Sequence, residues 1–296
     1  MTDPATPRPV ILRRLELSLA AWQLLAETAQ TALKLPQPTD QPKGQEAGQS
    51  NGQAAVPLTE EAAAAAWAEL AGLGLSPAAG EVQREWLAAV ALLFAAPLTV
   101  AARATYQGTS TTSAIGLRGG RGIAVHQRQL SEATGAGTVV TGSEDLVEVT
   151  LFDEDKLWPA LRRLLPPLDA VRAPAKAAPL GSTPAAVLGA DTDLNALPEP
   201  ADGLVRSEDA NVTLSVTAAP EGGPAHVWAG MWSAKDGHLY SVRTRTAGTP
   251  DGTSPDGTST EAVITEVPAG HIAHELIFAV VGGHDVLSAA RAEAAR

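Results

Sequence analysis

The sequence predicts an α+β fold: an antiparallel sheet built from two related α-β4-α halves, with helical bundles packed against it. Two observations support this prediction. An apolar helix, four short strand-like runs and a second apolar helix occupy roughly residues 77–165, and a similar order returns over roughly residues 184–282. Within each strand block the runs are short and β-prone, several with an apolar period of two, and clusters of Gly and polar residues separate them. Neither copy contains a recognisable catalytic or nucleotide-binding motif, which favours a binding surface over a catalytic pocket.

The composition excludes several classes of protein. The chain has 296 residues, a net charge of −12 and no cysteine. Neutralising nucleic-acid phosphates takes clustered Lys and Arg, so no nucleic acid is expected as a partner. Without cysteine, disulfides, thiolate catalysis and Cys-ligated metal centres are excluded.

The first residues and the apolar runs favour a cytoplasmic protein. The first nine residues, Met1–Pro9, lack the basic region and apolar stretch of a secretory signal. The longest strongly apolar run, Leu276–Val281, is far shorter than the ~20 residues that cross a bilayer. We therefore expect no membrane insertion.

The N-terminal half is predicted to occupy residues 10–165, after a disordered N-terminus at 1–9. It begins with a strand over Val10–Leu17, which runs into a helix capped by Ser18. Residues 37–57 are rich in Gln, Gly, Pro and Ser, and they cannot bury enough apolar surface to offset the entropy of ordering. This segment is predicted to be a flexible insertion.

Two further helices are predicted before the strands. Thr59 is followed by two glutamates, and a hydroxyl cap with an acidic first turn is typical of a helix N-terminus. This helix ends near Gly72 or Gly74. Ser76-Pro77 is a second cap followed by proline in the first turn, and it predicts a third helix that stops at Pro97.

Four strands and a helix complete the N-terminal half. The predicted strands are Leu98–Tyr106, Ser113–Leu117, Gly122–Arg128 and Leu146–Phe152. Asp153 is predicted to cap a helix that continues through Leu165. Residues 166–206, rich in Pro and Ala, are predicted to join the halves and to include a short helix after Thr183-Pro184.

The C-terminal half is predicted to occupy residues 207–285. Its strands are Asn211–Thr217, Ala225–Ser233, His238–Thr246 and Glu261–Val267. A helix from about Ala269 to Val281 follows, and residues 286–296 are predicted to form a tail. The loop at 248–259 contains PDGTS twice and is predicted to be flexible.

The most secure local prediction is a hairpin at Asp236-Gly237, because this dipeptide favours a type I′ turn. A two-residue turn fixes the register of the strands. The expected pairs are Lys235 with His238, Ser233 with Tyr240, and Met231 with Val242. The face that carries Met231, with Val227 and Ala229, is expected to face the core.

The opposite face of this hairpin supplies the candidate site for binding a substrate protein. It holds Trp228 and Trp232, with Arg243 and Arg245 beside them. Trp and Arg are the residues that most often dominate interface energies. Gly230 between the two tryptophans is expected to leave the backbone approachable. The alternative is that both rings lie under the N-terminal helices or stack on the arginines as cation–π pairs within the monomer.

Three other clusters were weighed as sites of chemistry. His271 and His274 are spaced as metal ligands on one helical turn, but no third ligand is evident, so no metal or other cofactor is expected. The acidic run Asp153–Asp155 is explained by helix capping. Residues Gly116–Gly122 are Gly-rich and basic but lack the Gly-Lys-Ser/Thr ending of a phosphate-binding loop, and a turn between strands explains them better.

Several segments together resemble a known family. They are Leu15–Ser18 leading into Trp22–Leu25, then Leu70–Leu75, Phe94–Pro97 and Leu164–Pro166. In their order, length and apolar spacing the chain resembles, over roughly residues 10–285, the ESX secretion-associated protein EspG family of actinobacteria, which are cytoplasmic chaperones of type VII secretion. The Gln-rich insertion and the PDGTS loop depart from the family pattern.

The resemblance implies a fold of two related halves around an antiparallel sheet with helical bundles. It also implies binding of newly made helical secretion substrates, PE–PPE heterodimers, at an exposed hydrophobic tip of the PPE helices. Such a protein keeps its client soluble and directs it to the secretion machine, without ATP or a cofactor. We expect a monomer or a weak homodimer that is not an enzyme, and no individual contact residue is carried over from the family.

Two other functions remain open from the sequence. One is an enzyme without a known motif, using His126, His226 or the His271/His274 pair. Convergence of these histidines and carboxylates in one pocket would support it. The other is a self-associating structural or regulatory protein, in which the tryptophan patch forms a homodimer.

Overall fold

Ten strands form one antiparallel sheet, and seven helices accompany it, in the part of the chain that the computed structural model describes. The described residues are 13–33, 57–134, 137–176, 181–189, 192–193, 195–247 and 259–296. The α+β prediction is confirmed at this level. The predictions for 1–9, for 37–56 and for 248–258 lie outside the described residues.

The elements have the following bounds. The strands are β1 Arg13–Leu17, β2 Leu98–Tyr106, β3 Thr109–Arg118, β4 Arg121–Thr134, β5 Gly137–Asp153, β6 Thr183–Leu188, β7 Ala210–Ala218, β8 His226–Lys235, β9 His238–Ala247 and β10 Ser259–Val267. The helices are α1 Leu19–Leu33, α2 Glu60–Gly72, α3 Arg84–Ala95, α4 Leu157–Arg162, α5 Asp169–Arg172, α6 Ala201–Ser207 and α7 His271–Ala294.

The strand order is β1-β5-β4-β3-β2-β7-β8-β9-β10-β6. Strands β2 to β5 form one meander and β7 to β10 form another. The two meanders meet at the centre of the sheet, where β2 pairs with β7 from Leu98 opposite Ala218 to Tyr106 opposite Ala210. Strands β1 and β6 each add one edge strand at an outer end.

One face of the sheet, here the α7 face, packs against α4 and α7. Its core spans both meanders, because apolar residues of β2, β3, β7 and β8 alternate toward it. The largest buried contributors include Leu98, Ile115, Leu117, Phe152, Leu161, Leu214, Trp232 and Leu276. The two meanders are therefore joined by packing as well as by strand pairing.

The other face, here the α3 face, is covered at both ends. Helices α1, α2 and α3 cover β1, β5, β4 and β3, with Ile123 and Val149 among the buried strand residues. Gly116 makes this packing possible, because a Cβ there would overlap the carbonyl group of Leu92 in α3. At the far end, α6 and the chain before it pack on Tyr240 and Ile264.

Several element boundaries differ from the sequence predictions. The segment after Thr183 is the edge strand β6 and not a helix, because it pairs with β10, and an edge strand tolerates Pro184. The short helix of the connection is α6 instead. The third helix begins at Arg84 and not at Pro77, after Gly80 adopts a left-handed backbone with φ of 83°.

Two predictions at helix ends are also corrected. Thr59 caps α2 as predicted, accepting a hydrogen bond from the amide of Ala62, but Asp153 makes no capping bond and pairs with Arg121. The last helix was predicted to end near Val281. Instead α7 continues to Ala294, so that the segment predicted as a tail is helical.

Candidate functional site

The predicted hairpin register is confirmed, but the tryptophans do not lie on the exposed face to which they were assigned. Lys235 pairs with His238 and Met231 with Val242, as expected from the turn. However, Trp232 is only 2% exposed, whereas Val227 on the other face is 65% exposed. The tryptophans therefore lie on the core side of β8. The face assigned to the core is exposed at Val227 and Met231, but it is buried at Ser233 and Tyr240, where the chain around α6 packs.

The pairing of β7 with β8 explains this inversion. Val212 lies opposite Trp232 and Val216 lies opposite Trp228, so the apolar side of β7 continues into the tryptophan side of β8. Both rings also fold over Gly230, which is consequently not approachable. The rings lie on the α7 face, and not under the N-terminal helices that the alternative proposed.

The predicted arginines are engaged in ion pairs at the protein surface. Arg243 donates to Glu275 of α7 at 3.1 Å, and Arg245 donates to Glu261 of β10 at 2.8 Å. Neither pairs with a tryptophan, and each is about 60% exposed in its side chain. The four predicted site residues thus do not form one exposed patch.

His271 has a structural role beside Trp232. The indole Nε1–H of Trp232 donates to Nδ1 of His271 at 3.1 Å, so that nitrogen carries no proton. Burial lowers the pKa of His271, opposed by Glu275 and reinforced by the positive charge of Arg243. Within the described residues, no group of three His, Asp or Glu side chains is arranged to hold a metal ion.

His126 forms a buried pair with Ser113 that sequence reasoning did not identify. Its Nδ1 lies 2.8 Å from the hydroxyl of Ser113, and its Nε2 is buried without a partner. Glu148 lies opposite His126 across the strands, but its carboxylate is bound by Arg14 and Arg163. Ser113 and His126 are buried and line neither of the two clefts described below, so the arrangement offers no open nucleophile–base site.

The outer surface of α7 carries exposed apolar side chains. Ile277, Phe278 and Val281 are 47%, 66% and 54% exposed. We call these three residues the α7 stripe. Sequence reasoning missed them because the run Leu276–Val281 was interpreted as one apolar block, although a helix packed on a sheet turns only one side toward it. The signal was present: six consecutive apolar residues cannot all face the core.

A small cleft of about 180 Å³ lies beside the C-terminal part of α7. Its lining includes Arg118 at the end of β3, Gly119 and Gly120 of the β3–β4 turn, and His284, Ser288 and Arg291 of α7. We call it the α7 cleft. The Gly-rich segment considered in the sequence as a phosphate cradle is thus a turn, as predicted, but it borders a cleft with two arginines.

A larger cleft of about 450 Å³ lies at the opposite end of the central strands, near the turn at Gln107-Gly108. Its carboxylates, Glu208 and Asp209, are already occupied. Glu208 accepts from Ser233 and Asn211, and Asp209 accepts from the amide of Asp236 at 2.7 Å. The cleft is also lined by Ser131, whose buried hydroxyl has no hydrogen-bond partner among the described residues.

By length and composition α7 could also cross a membrane, the one such helix among the described residues. Ile272, Leu276, Val280 and Leu287 of this helix are buried against the sheet. Comparison of the chain with protein-family models and with curated proteins finds no match.

Proposed function

We propose that this protein is a cytoplasmic, non-enzymatic chaperone or adaptor that binds helical type VII secretion substrates of the PE/PPE kind. It keeps them soluble and directs them to export. The observation that carries the proposal is the α7 stripe, which presents three large apolar side chains to solvent on a helix anchored to the sheet. Exposed apolar side chains grouped in this way are typical of protein interaction sites.

The arrangement of the sheet also supports this proposal. We infer that the two meanders are related α-β4-α halves. Helices α3 and α6 precede them on the α3 face, and α4 and α7 follow them on the α7 face. Each half would also include an edge strand, β1 or β6, paired with its last meander strand. Such a duplicated sheet is what the resemblance to the EspG family implies.

The client that fits the stripe is an apolar tip of a helical protein. The stripe is narrow, with Phe278 at its centre and His274 and Asp285 near its ends on the same side of α7. A small interface of this kind, apolar in the middle and polar at the rim, permits release of the client at the secretion machine. Trp228 and Trp232 would stabilise α7 from beneath instead of contacting the client.

The test is affinity capture from the cytosol of the native host with two matched variants. The first replaces the stripe, Ile277→Ser/Phe278→Ser/Val281→Ser. The control, Val205→Ser/Val227→Ser, removes two equally exposed apolar side chains outside α7. Wild type and control are expected to recover small helical secretion substrates, and the stripe variant is expected to lose at least about 90% of them, because the apolar contact is removed.

Two outcomes would contradict the proposal. One is recovery of no helical secretion substrate by wild type. The other is equal recovery by wild type and the stripe variant, once circular dichroism has established that both are folded.

Self-association through the α7 stripe is the second candidate function, because an exposed apolar helix surface can also pair with its own copy. Sedimentation velocity of the purified protein distinguishes the two. A stable dimer that the stripe substitutions convert to a monomer would favour self-association. A monomer that captures its client would favour the chaperone.

A further inference from the structure

The β8–β9 hairpin opens into a gap at the end away from its turn. In the described part of the chain, the two strands pair only from Lys235 opposite His238 to Met231 opposite Val242. Beyond that point β8 continues to pair with β7, and β9 continues to pair with β10. The stretch His226–Gly230 of β8 therefore has an unpaired edge within the sheet, which we call the β8 edge.

The backbone groups that this edge presents follow from the hydrogen bonds of β8. The carbonyl of Ala234 accepts from the amide of Asp209, on the β7 side of the strand. Alternate residues of a strand direct their backbone groups to the same side, so the even-numbered residues of β8 bond toward β7. Val227 and Ala229 consequently direct their N–H and C=O groups into the gap, where β9 would bind them in a regular sheet.

Side-chain exposure rises along the same stretch of β8. Trp232, in the paired part, is 2% exposed, whereas Trp228 is only half-buried. Ala229 is exposed, and Val227 is 65% exposed. The β8 edge thus combines unpaired backbone groups with apolar side chains that are open to solvent.

The outer edges of the sheet carry features that discourage pairing, and the β8 edge does not. Strand β1 is short and mostly charged, while β6 contains Pro184 and pairs with β10 in a shifted register. Across the gap, β9 carries Arg243 and Arg245. Charges, proline and irregular pairing are the usual means by which proteins prevent an edge from recruiting another strand. The stretch His226–Gly230 contains no proline and no Asp, Glu, Lys or Arg, so its edge remains able to accept a strand.

We propose that the β8 edge is a binding site for an extended polypeptide segment of a partner protein, which adds to β8 as an antiparallel strand. The backbone amides and carbonyls of such a segment match those of Val227 and Ala229, as in other cases of strand addition. β-branched apolar residues opposite these two positions would complete the cross-strand pairs. A single segment fits the gap better than a second folded copy, because the neighbouring strands of that copy would meet β9 and β10. The site is separate from the α7 stripe and does not depend on the proposed function.

The first test is amide hydrogen exchange of the free protein, followed by NMR. The amides of Val227 and Ala229 are expected to exchange at least about a hundredfold faster than those of Met231 and Ser233, which β9 binds. Equal protection of all four amides would overturn the unpaired edge. Protection of Val227 and Ala229 that grows with protein concentration would overturn the proposed partner, because it would assign the edge to a second copy.

The second test uses the peptide acetyl-Thr-Val-Thr-Val-Thr-amide as the probe. Saturable shifts of the Val227 and Ala229 amide resonances are expected in the millimolar range, with slower exchange of both amides. The same peptide with a methyl group on every backbone amide keeps its side chains but loses its hydrogen-bond donors, and is expected to bind at least about tenfold more weakly. Equal binding of the two peptides, or no saturable shift with either, would overturn strand addition.

A proline substitution tests the same hydrogen bonds from the side of the protein. The amide of Ala229 faces the gap, so Ala229→Pro removes a donor of the β8 edge without breaking a bond to β7. The affinity for the peptide is expected to fall at least about tenfold. The matched control is Thr244→Pro at the facing position of β9, which is expected to leave the affinity unchanged.

Circular dichroism establishes that both proline variants are folded. Unchanged affinity in Ala229→Pro, or an equal loss in Thr244→Pro, would overturn the assignment to β8. The comparison of the two peptides uses the wild-type protein, so it remains decisive if a proline variant does not fold.

Discussion

Burial lowers the pKa of two histidines on the α7 face, His126 and His271. For His126 the pKa is lowered to about 3, first by burial and then by the positive charges of Arg163 and Arg14. For His271 burial also lowers the pKa, and its Nδ1 accepts the indole hydrogen of Trp232. At mildly acidic pH His126 therefore folds without a charge that it would carry in the unfolded chain.

This difference predicts that acid destabilises the fold through His126. Between pH 6.5 and about 3 the unfolded chain binds a proton that the folded protein does not bind, so the free energy of unfolding falls as the pH falls. One such group contributes a slope of at most about 1.4 kcal/mol per pH unit. His126→Asn is expected to reduce the slope, measured by urea unfolding between pH 4 and pH 6.5.

The matched control is Gln129→Asn, which alters a buried polar side chain on the same strand without removing a titratable group. It is expected to lower stability but to keep the wild-type slope. Identical slopes for wild type and His126→Asn would contradict the role assigned to His126.

At the scale of the elements, close contact between α3 and the sheet depends on one glycine. The backbone of α3 approaches β3 so closely that a Cβ at Gly116 would overlap the Leu92 carbonyl group. Backbone atoms of a helix cannot move as the end of a flexible side chain can. The packing of the N-terminal helices therefore requires glycine at this position of β3.

Gly116→Ala is expected to displace α3 and to lower the free energy of unfolding by about 2–3 kcal/mol, as overpacking of a core does. The measurement is denaturant unfolding followed by circular dichroism. Gly72→Ala is the control, because a Cβ there meets nothing within 4 Å and Gly72 is the last residue of helix α2. It is expected to be neutral or slightly stabilising, and an equal loss in both variants would refute the steric explanation.

The sequence predicts the local features of these elements better than the contacts between them. Strand positions such as Leu98–Tyr106 and the hairpin at Asp236-Gly237 were predictable, because period-two patterns and turn residues are local signals. The buried face of β8 was not predictable in this way, because it depends on the pairing of Trp232 with Val212 in another strand. The α7 cleft could not be predicted from the sequence either, since its lining residues include Arg118 and Arg291, which are far apart in the chain.

At the scale of the whole molecule, the two meanders share one core. Strands β2 and β7 pair along their whole length, and α7 rests on both of them, since Gly283 lies close to Leu98 of β2 and to Ala218 of β7. Separating the meanders would expose the central strands and remove the surface on which α7 packs. The proposed client surface on α7 consequently depends on both halves of the chain.

This shared core predicts that the described part of the chain unfolds as one cooperative unit. Tryptophan fluorescence reports on residues of both halves, including Trp86 and Trp232, while far-ultraviolet circular dichroism reports on the sheet and helices together. Their denaturant midpoints are expected to coincide. Leu98→Ala removes a fully buried side chain at the junction and is expected to lower both midpoints together, with a loss of about 2–5 kcal/mol. Two separated transitions, or a Leu98→Ala variant in which only one probe shifts, would mean that the halves fold independently and that α7 is anchored by the C-terminal meander alone.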